Sequence, residues 1–185
     1  DSGSQYYFGT TDVTRTFVLG KVSNFHKNIY TYVLKGHIAV NSFKLTNKTK
    51  GLEVDKKARF FLKKYGKNYN HGTGHGIGYF LNVHENPPNI SFNSKTKFFE
   101  KQIMSNEPGY YKEKHFGVRL ENMMMVKKEK NKKYFESLTL VPFDKNGLNT
   151  KLLPKKVFVK GINPSKEEIS LSLEGKIYTL KLTPE

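Results

Sequence analysis

The sequence begins with Asp1-Ser2-Gly3-Ser4-Gln5-Tyr6-Tyr7-Phe8-Gly9-Thr10-Thr11-Asp12-Val13-Thr14-Arg15, and this stretch decides the fold. An aromatic run at residues 5–8, a turn at 9–11 and the alternation of residues 12–19 predict two short strands. Asp1 and Asp12 lie 12 − 1 = 11 residues apart across that turn. Since an antiparallel ribbon can place both carboxylates on one face, the stretch predicts an acidic site on a β-hairpin.

The hydrophobic pattern of the remaining chain predicts two helices followed by several strands. The helices are expected at Asn24–Phe43 and Val54–Tyr65, and Gly66 is placed to end the second. The dipeptide Pro87-Pro88 predicts a loop. The other expected elements are a strand or turn at Tyr79–Val83, strands at Gln102–Asn106, Val118–Val126 and Tyr134–Pro142, a solvated charged tip at Lys127–Lys133, and a terminal β-hairpin at 168–182 that turns at Glu174-Gly175.

Composition limits the classes of protein to consider. The 185 residues are enough for one domain with a core, and 36% apolar residues argue against a disordered chain. No apolar run of about 18 residues occurs, so we expect no transmembrane helix and no membrane partner. The absence of cysteine excludes disulfides and thiolate metal sites. The net charge of +16 would suit nucleic acid, but the lysines are spread along the chain instead of forming one stripe, so we expect no nucleic-acid partner.

Five side chains are the candidate metal ligands, namely Asp1, Asp12, His75, Glu107 and Glu121. Glu107 is expected at a strand end broken by proline. Arg119 and Glu121 are two residues apart in one predicted strand, so both should project from one face, where the arginine keeps the carboxylate ionised; a plain ion pair on the strand face is the alternative for these two. Four carboxylates and one imidazole form an oxygen-rich site that suits Mn²⁺ better than structural zinc. Two divalent ions about 3.5–4 Å apart would relieve the repulsion between the carboxylates.

The histidines are concentrated near the middle of the chain. His71, His75 and His84 fall within fourteen positions of a sequence that has 6 histidines. The first two stand in a glycine-rich segment, where the backbone can approach a ligand closely, although the P-loop pattern is absent. A single histidine here is more often structural than functional, but three together favour a site.

These motifs resemble a known family of enzymes. The segments that carry the resemblance are Asp1-Ser2-Gly3-Ser4-Gln5-Tyr6, Gly9-Thr10-Thr11-Asp12-Val13-Thr14-Arg15-Thr16, His71-Gly72-Thr73-Gly74-His75-Gly76-Ile77-Gly78, Leu81-Asn82-Val83-His84-Glu85, Asn106-Glu107-Pro108-Gly109-Tyr110-Tyr111 and Phe116-Gly117-Val118-Arg119-Leu120-Glu121-Asn122. Together they are similar to the cytosolic type of aminopeptidase P, one of the pita-bread metallopeptidases. The resemblance implies an α+β fold with a curved antiparallel sheet and flanking helices, whose N-terminal part is missing from this chain. Residues 1–143 would form the C-terminal portion of the catalytic domain, and 144–185 a divergent tail, read as a β-hairpin.

The resemblance also implies roles for individual residues. Asp1 would chelate one metal ion, Asp12 and Glu121 would bridge two ions, and His75 and Glu107 would complete the second site. Glu107 would also shuttle protons. His84 would contact the tetrahedral intermediate or the scissile carbonyl, and His71 would contact the substrate near its proline. Arg119 would support the metal cluster and the proline side of the substrate pocket. The implied enzyme is a cytoplasmic homodimer with two divalent ions, expected to be Mn²⁺. Its metal-activated hydroxide would cleave peptides that have proline at the second position.

Related functions remain as alternatives. A catalytically inactive pita-bread binding module would have lost ligands, whereas all five are present here. Prolidases cleave dipeptides and methionine aminopeptidases have a different pocket; the Thr-Asp-Val-Thr-Arg and Leu-Asn-Val-His-Glu segments favour aminopeptidase P over both. The chain starts without Met or a signal-peptide pattern, which we interpret as a truncated piece. Because part of the structure that would support the metals is then absent, we expect this chain alone to be weakly active or inactive.

Overall fold

The computed structural model describes residues 1–80 and 82–153, together with the backbone of 157–158, 168–173 and 176–181. In chain order the elements are β1 Ser2–Tyr6, β2 Gly9–Val13, α1 Asn24–Asn41, α2 Gly51–Lys63, β3 Gly74–Ile77, β4 His84–Ile90, β5 Ile103–Asn106, β6 Gly109–Lys112, β7 Phe116–Arg119, β8 Asn122–Glu129, β9 Lys132–Ser137, β10 Val157–Phe158, β11 Glu168–Leu173 and β12 Lys176–Lys181. Helices and antiparallel strands occur together, which agrees with the predicted α+β class.

The largest sheet among the described residues has five antiparallel strands in the order β4-β3-β5-β8-β9. The two helices pack against each other and against this sheet. Their shared core includes Val54 on α2, Met104 on β5 and Met124 on β8, all with no exposed surface. The β1–β2 ribbon contacts β3 and β8 near the end of the sheet where β5 stops and β8 starts. This packing brings the opening hairpin to one end of the sheet.

Both predicted helices are present. Helix α1 begins at Asn24 as expected, and its Gly36 lies against α2 so closely that a Cβ atom would be 2.4 Å from the carbonyl oxygen of Ala58. Helix α2 begins at Gly51, three residues before the predicted start, because the N–H of Gly51 donates to the oxygen of Thr96 at 3.0 Å. Such a partner is distant in sequence and is therefore invisible to local patterns. Gly66 follows the helix with a φ of +66°, the left-handed conformation expected of a glycine at a helix end.

The strand predictions need several corrections. The first hairpin turns at residues 7–8 and not at 9–11, because β2 already starts at Gly9. Pro87-Pro88 lies within β4 and not in a loop: the register with β3 shifts there, so the prolines fall in a bulge where no ladder N–H is needed. The hairpin tip predicted at 127–133 is shorter in the structure and consists of residues 130–131, because β8 and β9 pair as far as Glu129 and Lys132. Residues 79–80 and 82–83 form no strand, and the N–H of Gly78 donates to the oxygen of Val83 at 3.2 Å, which agrees with the turn expected as the alternative. β9 ends at Ser137, before the predicted limit.

The predicted strand Val118–Val126 is wrong because the chain changes sheets in the middle of it. β7 pairs with β6, whereas β8 pairs with β5, and Leu120 and Glu121 lie between them. The N–H of Glu121 donates to the oxygen of Thr14 at 3.0 Å, which takes the chain out of the ladder. Arg119 and Glu121 therefore do not project from one strand face.

The segment after Pro142 continues the core of the domain. Leu148 and Leu153 are buried in the same cluster as Tyr30 on α1. Further along, β11 pairs with β12 in antiparallel register, and the turn expected at Glu174-Gly175 lies outside the described residues. The domain boundary after residue 143 stays a prediction. No helix among the described residues is long and apolar enough to cross a membrane.

Candidate metal centre

One cavity of about 680 Å³ opens at the end of the sheet where the β1–β2 ribbon crosses it. Seven of its lining residues are those chosen from the sequence for metal or substrate contacts, namely Asp1, Asp12, His75, His84, Glu107, Arg119 and Glu121. The fold therefore brings all five predicted ligands to one cavity, from positions as far apart as the first residue and residue 121. His71 is absent from this lining and reaches the site through other residues.

Asp12 belongs to the group of ligand atoms at the candidate metal centre. It is buried in β2, and its backbone N–H donates to the Sδ atom of Met123 on β8 at 3.3 Å. Gly3 pairs with Asp12 across the ribbon. Because directly opposed residues share a face, and Asp1 lies two residues before Gly3, the ribbon directs both aspartates to one side, as expected.

His75 contacts two carboxylates at once. Its Nε2 atom lies 3.4 Å from Oδ2 of Asp12 and 3.1 Å from Oε1 of Glu107. The Nδ1 atom lies 2.9 Å from the carbonyl oxygen of Gly76, which can only accept, so Nδ1 carries a proton. Burial alone would lower the pKa of His75, but the hydrogen bonds to Asp12 and Glu107 outweigh it and raise the pKa to about 10. In the metal-free protein a proton on Nε2 therefore holds the carboxylates together.

The position of His75 depends on close contact between β3 and β5. A Cβ atom at Gly74 would lie 2.1 Å from the carbonyl oxygen of Ser105, so no other residue fits there without displacing a strand. The Ser105 hydroxyl accepts from the N–H of His75 and donates to Oε1 of Glu107, both at 3.0 Å. Glu107 follows β5 directly, at the strand end where the sequence placed it.

Glu121 is the most deeply buried carboxylate among the predicted metal ligands, with 2% of its surface exposed. Burial, with repulsion from Glu107, raises its pKa to about 7, while a hydrogen bond from Oγ1 of Thr14 at 2.6 Å opposes that rise. Arg15 donates to the carbonyl oxygen of Glu121 and to those of Val141 and Pro142. Thr14 thus fixes the side chain of Glu121, and Arg15 fixes its backbone.

The predicted ligands do not all stand in one group. Ligand atoms of Asp12, His75 and Glu121 lie within 4.8 Å of one another, and Glu107 joins them through His75. Asp1 instead forms an ion pair with Nη2 of Arg119. The structure therefore brings four of the five together and holds the fifth beside them.

Arg119 connects several parts of the site. Besides Asp1, its guanidinium donates from Nε to Oγ1 of Thr14 at 3.1 Å and from Nη1 to the hydroxyl of Tyr111 at 3.3 Å. Among the described residues it makes no ion pair with Glu121, so the alternative of a plain strand-face ion pair is wrong. Arg119 contacts Glu121 through Thr14, and its charge also opposes the rise in the pKa of Glu121 that burial causes.

The two other histidines lie on either side of the centre. His84 starts β4, and its ring centroid is 4.3 Å from that of His75. His71 lies further out, where its Nε2 atom contacts the Tyr111 hydroxyl at 2.9 Å. Because Nδ1 of His71 faces the oxygen of Gly72 at 2.7 Å, Nδ1 carries the proton and Nε2 accepts from Tyr111. Burial lowers the pKa of His71, so this neutral form is favoured.

Sequence reasoning missed four residues that organise the centre, namely Thr14, Arg15, Ser105 and Tyr111. Two of them stand in the Thr-Asp-Val-Thr-Arg segment and one in Tyr110-Tyr111, so they were within motifs already singled out. Some of their partners, however, are distant in the chain: Ser105 bonds to His75, 30 residues away, and Arg15 to Pro142, 127 residues away. No spacing rule reveals such contacts.

The donor set fits a pair of divalent cations. Carboxylate oxygens with one imidazole are the ligands of hard ions such as Mn²⁺ or Mg²⁺, and no thiolate is available in the chain. The raised pKa values of His75 and Glu121 show that this cluster needs positive charge to hold its carboxylates ionised. Divalent ions would supply that charge, and His75 would then bind as the neutral imidazole.

Comparisons with known proteins agree with this chemistry. The chain is 43% identical over 164 residues to Xaa-Pro aminopeptidase 1 of Dictyostelium discoideum, a match that covers 84% of this chain and 26% of the relative. The X-prolyl aminopeptidase of Caenorhabditis elegans, described as a cytosolic enzyme with a di-nuclear active site, superimposes with a TM-score of 0.74 at 36% identity and covers 80% of this chain and 25% of its own. Prolidase from Pyrococcus furiosus gives a TM-score of 0.67 at 30% identity, over 75% of this chain and 40% of its own.

These likenesses confirm the predicted pita-bread fold. The chain spans about a quarter of the length of the curated relatives it matches. The model of metallopeptidase family M24 matches residues 1–128, which include every predicted metal ligand. With the carboxylate and histidine cluster at the end of its sheet, the chain belongs to metallopeptidase family M24.

Proposed function

We propose that this chain carries the metal centre of an Xaa-Pro aminopeptidase, which hydrolyses the bond between an N-terminal residue and a following proline. One observation supports the proposal above the others: Asp12, His75 and Glu121 present ligand atoms within 4.8 Å of one another, with Glu107 beside His75. A non-catalytic binding module would have no need to keep such a repulsive group of carboxylates buried.

We assign the metal ligands as Asp1, Asp12, His75, Glu107 and Glu121, holding two ions that we expect to be Mn²⁺. For Asp1 this requires its carboxylate to leave Arg119 or to be shared with it. When bound, the ions would polarise the scissile carbonyl and lower the pKa of a water molecule. The oxygen-rich set favours Mn²⁺ over zinc, which prefers sulfur and nitrogen ligands.

The side chains around the ions have separate tasks. The Oε1 atom of Glu107, which accepts from Ser105, would take a proton from water and give it to the leaving amine. His84, next to His75 on the cavity wall, would donate to the carbonyl oxygen of the substrate as negative charge develops there. His71 would contact the substrate near its proline, and Arg119 would link that side to the metal side through Tyr111 and Thr14.

The experiment is to incubate an Arg-Pro-Pro peptide with the chain and Mn²⁺ and to follow the products by mass spectrometry. We expect loss of the N-terminal arginine alone, abolished by EDTA and by Glu107→Gln. The matched control is Glu113→Gln, which removes an exposed carboxylate near by. We expect this chain to be weakly active because it covers only part of the relatives' length. If it is, the same assay is run on a longer protein that extends upstream of Asp1. Absence of cleavage in both, with metal bound, would refute the proposal in favour of a binding module.

A second candidate is prolidase activity, which the likeness to the Pyrococcus furiosus enzyme supports. The two activities differ in substrate length. We expect cleavage of the tripeptide Arg-Pro-Pro and little cleavage of the dipeptide Arg-Pro, and the reverse preference would identify a prolidase. A dimeric, cytoplasmic enzyme is part of the same proposal, to be checked by sedimentation and by localisation of a tagged protein.

A further inference from the structure

A buried ion pair on α2 lies outside the chemistry described so far. Asp55 and Arg59 are one helical turn apart, with side chains 1% and 4% exposed, and Nε of Arg59 donates to Oδ2 of Asp55 at 2.7 Å. Burying two charges is costly, and a buried pair is often no more stabilising than apolar residues of the same size. Stability alone therefore does not account for the pair, and its contacts with other residues indicate what else it does.

The contacts of Arg59 converge on the segment that leads to the histidines. Its Nη1 atom donates to Oδ1 of Asn68 at 2.9 Å and to the carbonyl oxygen of Tyr69 at 2.6 Å. Its Nη2 atom donates to the carbonyl oxygen of His71 at 2.7 Å. The guanidinium also lies 3.9 Å from the centre of the Tyr69 ring, which in turn lies 4.8 Å from the ring of His71. One side chain thus fixes both the backbone of His71 and the ring on which the imidazole rests.

Asp55 fixes the same segment two residues later. Its Oδ1 atom accepts from Oγ1 of Thr73 at 2.6 Å, and the Tyr69 hydroxyl bonds to the same Thr73 oxygen at 2.5 Å. The carbonyl oxygen of Thr73 accepts the N–H of Glu107 at 2.8 Å. The segment therefore meets the metal side at Glu107 and the substrate side at His71.

The need for such anchors follows from the sequence of the segment. His71 is followed by Gly72, and Thr73 by Gly74, and glycine leaves the backbone free to adopt many conformations. The only hydrogen bonds described for the His71 side chain go to its neighbour Gly72 and to Tyr111. Arg59 is the partner on α2 that holds the backbone of His71 itself, whereas Asp55 and Glu107 hold Thr73, on the far side of Gly72.

We propose that Arg59, held in place by Asp55, is a positioning residue that sets the place of His71 and thereby the affinity for the proline-containing substrate. This inference rests on the proposed function, because it takes His71 as a substrate contact. A lysine at position 59 would keep the charge, but its single ammonium group cannot reach the oxygens of Asp55, Tyr69 and His71 together in the geometry of a guanidinium. Hydrogen-bonding partners that orient metal ligands are typically worth 10–100-fold in metal affinity or activity, and we expect an effect of that order for the residue that orients His71.

The test compares Arg59→Lys with Lys57→Met, which removes a charge from an exposed position of the same helix. In the longest active form of the enzyme, we expect Arg59→Lys to raise KM for an Arg-Pro-Pro peptide about tenfold with kcat within about twofold and with unchanged affinity for Mn²⁺. Lys57→Met should change none of the three. An unchanged KM in Arg59→Lys would overturn the proposal.

A second variant separates positioning from stability. The double substitution Asp55→Asn with Arg59→Met removes both charges together, so no unpaired charge is left buried, and the asparagine keeps an acceptor for Thr73. We expect its midpoint of urea unfolding to approach that of the parent while KM stays raised. If KM recovers along with stability, the pair is merely structural and the proposal fails.

A third measurement does not depend on activity. With ¹⁵N-labelled histidine, the His71 signals, assigned with a His71→Gln variant, should show the proton on Nδ1 in the parent protein, as its contacts require. In Arg59→Lys we expect averaged signals of both tautomers, because the ring loses its fixed place against Tyr111. An unchanged His71 spectrum would contradict the proposal even if KM rises. If no protein containing this chain hydrolyses the peptide, the proposed function fails, but these spectra still decide whether Arg59 positions His71.

Discussion

Thr14 controls the charge of the buried carboxylate at the centre of the site. Its hydroxyl donates to Oε2 of Glu121 at 2.6 Å and accepts from Nε of Arg119 at 3.1 Å. The substitution Thr14→Val preserves the shape of the side chain and removes this hydroxyl, whereas Thr14→Ser keeps the hydroxyl and removes a methyl group. The comparison of the two variants therefore isolates the hydroxyl and its two hydrogen bonds from the rest of the side chain.

The size of the effect follows from the pKa of Glu121. Burial and the charge of Glu107 already raise that pKa to about 7, although the Thr14 hydroxyl opposes the rise. A hydrogen bond to a charged group is worth about 1.5–3 kcal/mol, and about 1.4 kcal/mol corresponds to one pKa unit. Its loss should raise the pKa of Glu121 to roughly 8–9. Because a metal ion binds the ionised carboxylate, the apparent affinity for Mn²⁺ at pH 7 should fall roughly 5–50-fold.

The assay is titration of the metal-free protein with Mn²⁺ by calorimetry, without oxygen, at pH 7 and pH 8.5. The deficit of Thr14→Val should shrink to at most roughly fourfold at pH 8.5, where Glu121 ionises again. Thr14→Ser should bind as the parent does at both values. Equal affinities for the valine and serine variants, or a deficit that does not change with pH, would refute the reasoning.

Three further predictions concern other parts of the molecule. Burial, with the charge of Arg15, lowers the pKa of His37 from 6.5 to about 3. The contribution of the neutral His37 to stability is therefore complete above pH 6.5 and is lost as the pH falls towards 3. The free energy of unfolding in urea should fall by about 2 kcal/mol between pH 7.5 and pH 5 in the parent protein, and His37→Asn should abolish this fall. Binding of Mn²⁺ at pH 7 should release about one proton from His75 and about half a proton from Glu121. Calorimetry in buffers of different ionisation enthalpy measures this release, and the release of no proton would contradict the raised pKa values. Gly74→Ala should destabilise the protein by about 1–3 kcal/mol and weaken metal binding, while Gly72→Ala, whose Cβ atom would keep 3.4 Å to the nearest oxygen, should do neither.

The sequence predicted the members of the site better than their connections. Asp12 and Glu107 could be placed because a hairpin and a strand end next to proline are local features, although the hairpin turns at residues 7–8 and not where it was predicted. The bond from Thr14 to Glu121 could not, since the two residues are 107 positions apart and meet only because the chain leaves one sheet at Leu120 and enters another. For the same reason the expected shared strand face of Arg119 and Glu121 was wrong.

The elements themselves follow the same division. Helix α1 was predicted closely because its apolar spacing is strong and continuous. The start of α2 was not, because it depends on backbone bonds to residues 94 and 96. Pro87-Pro88 lies in a strand although proline is a reliable sign of a loop, because a bulge opposite β3 needs no N–H from it. Local chemistry thus identifies elements, and tertiary contacts set their limits.

The arrangement of contacts also determines which substitutions can be interpreted. Arg119 reaches Asp1 and Thr14 on the metal side and Tyr111 on the proposed substrate side, so we expect its removal to change metal affinity and substrate affinity together. Thr14 touches the metal side through Glu121, and Arg59 touches the substrate side through His71. Residues that share no partner usually have independent effects, whereas members of one network do not. The two sides of the site are therefore resolved by changing Thr14 and Arg59, and a loss of activity on changing Arg119 cannot by itself be assigned to either side.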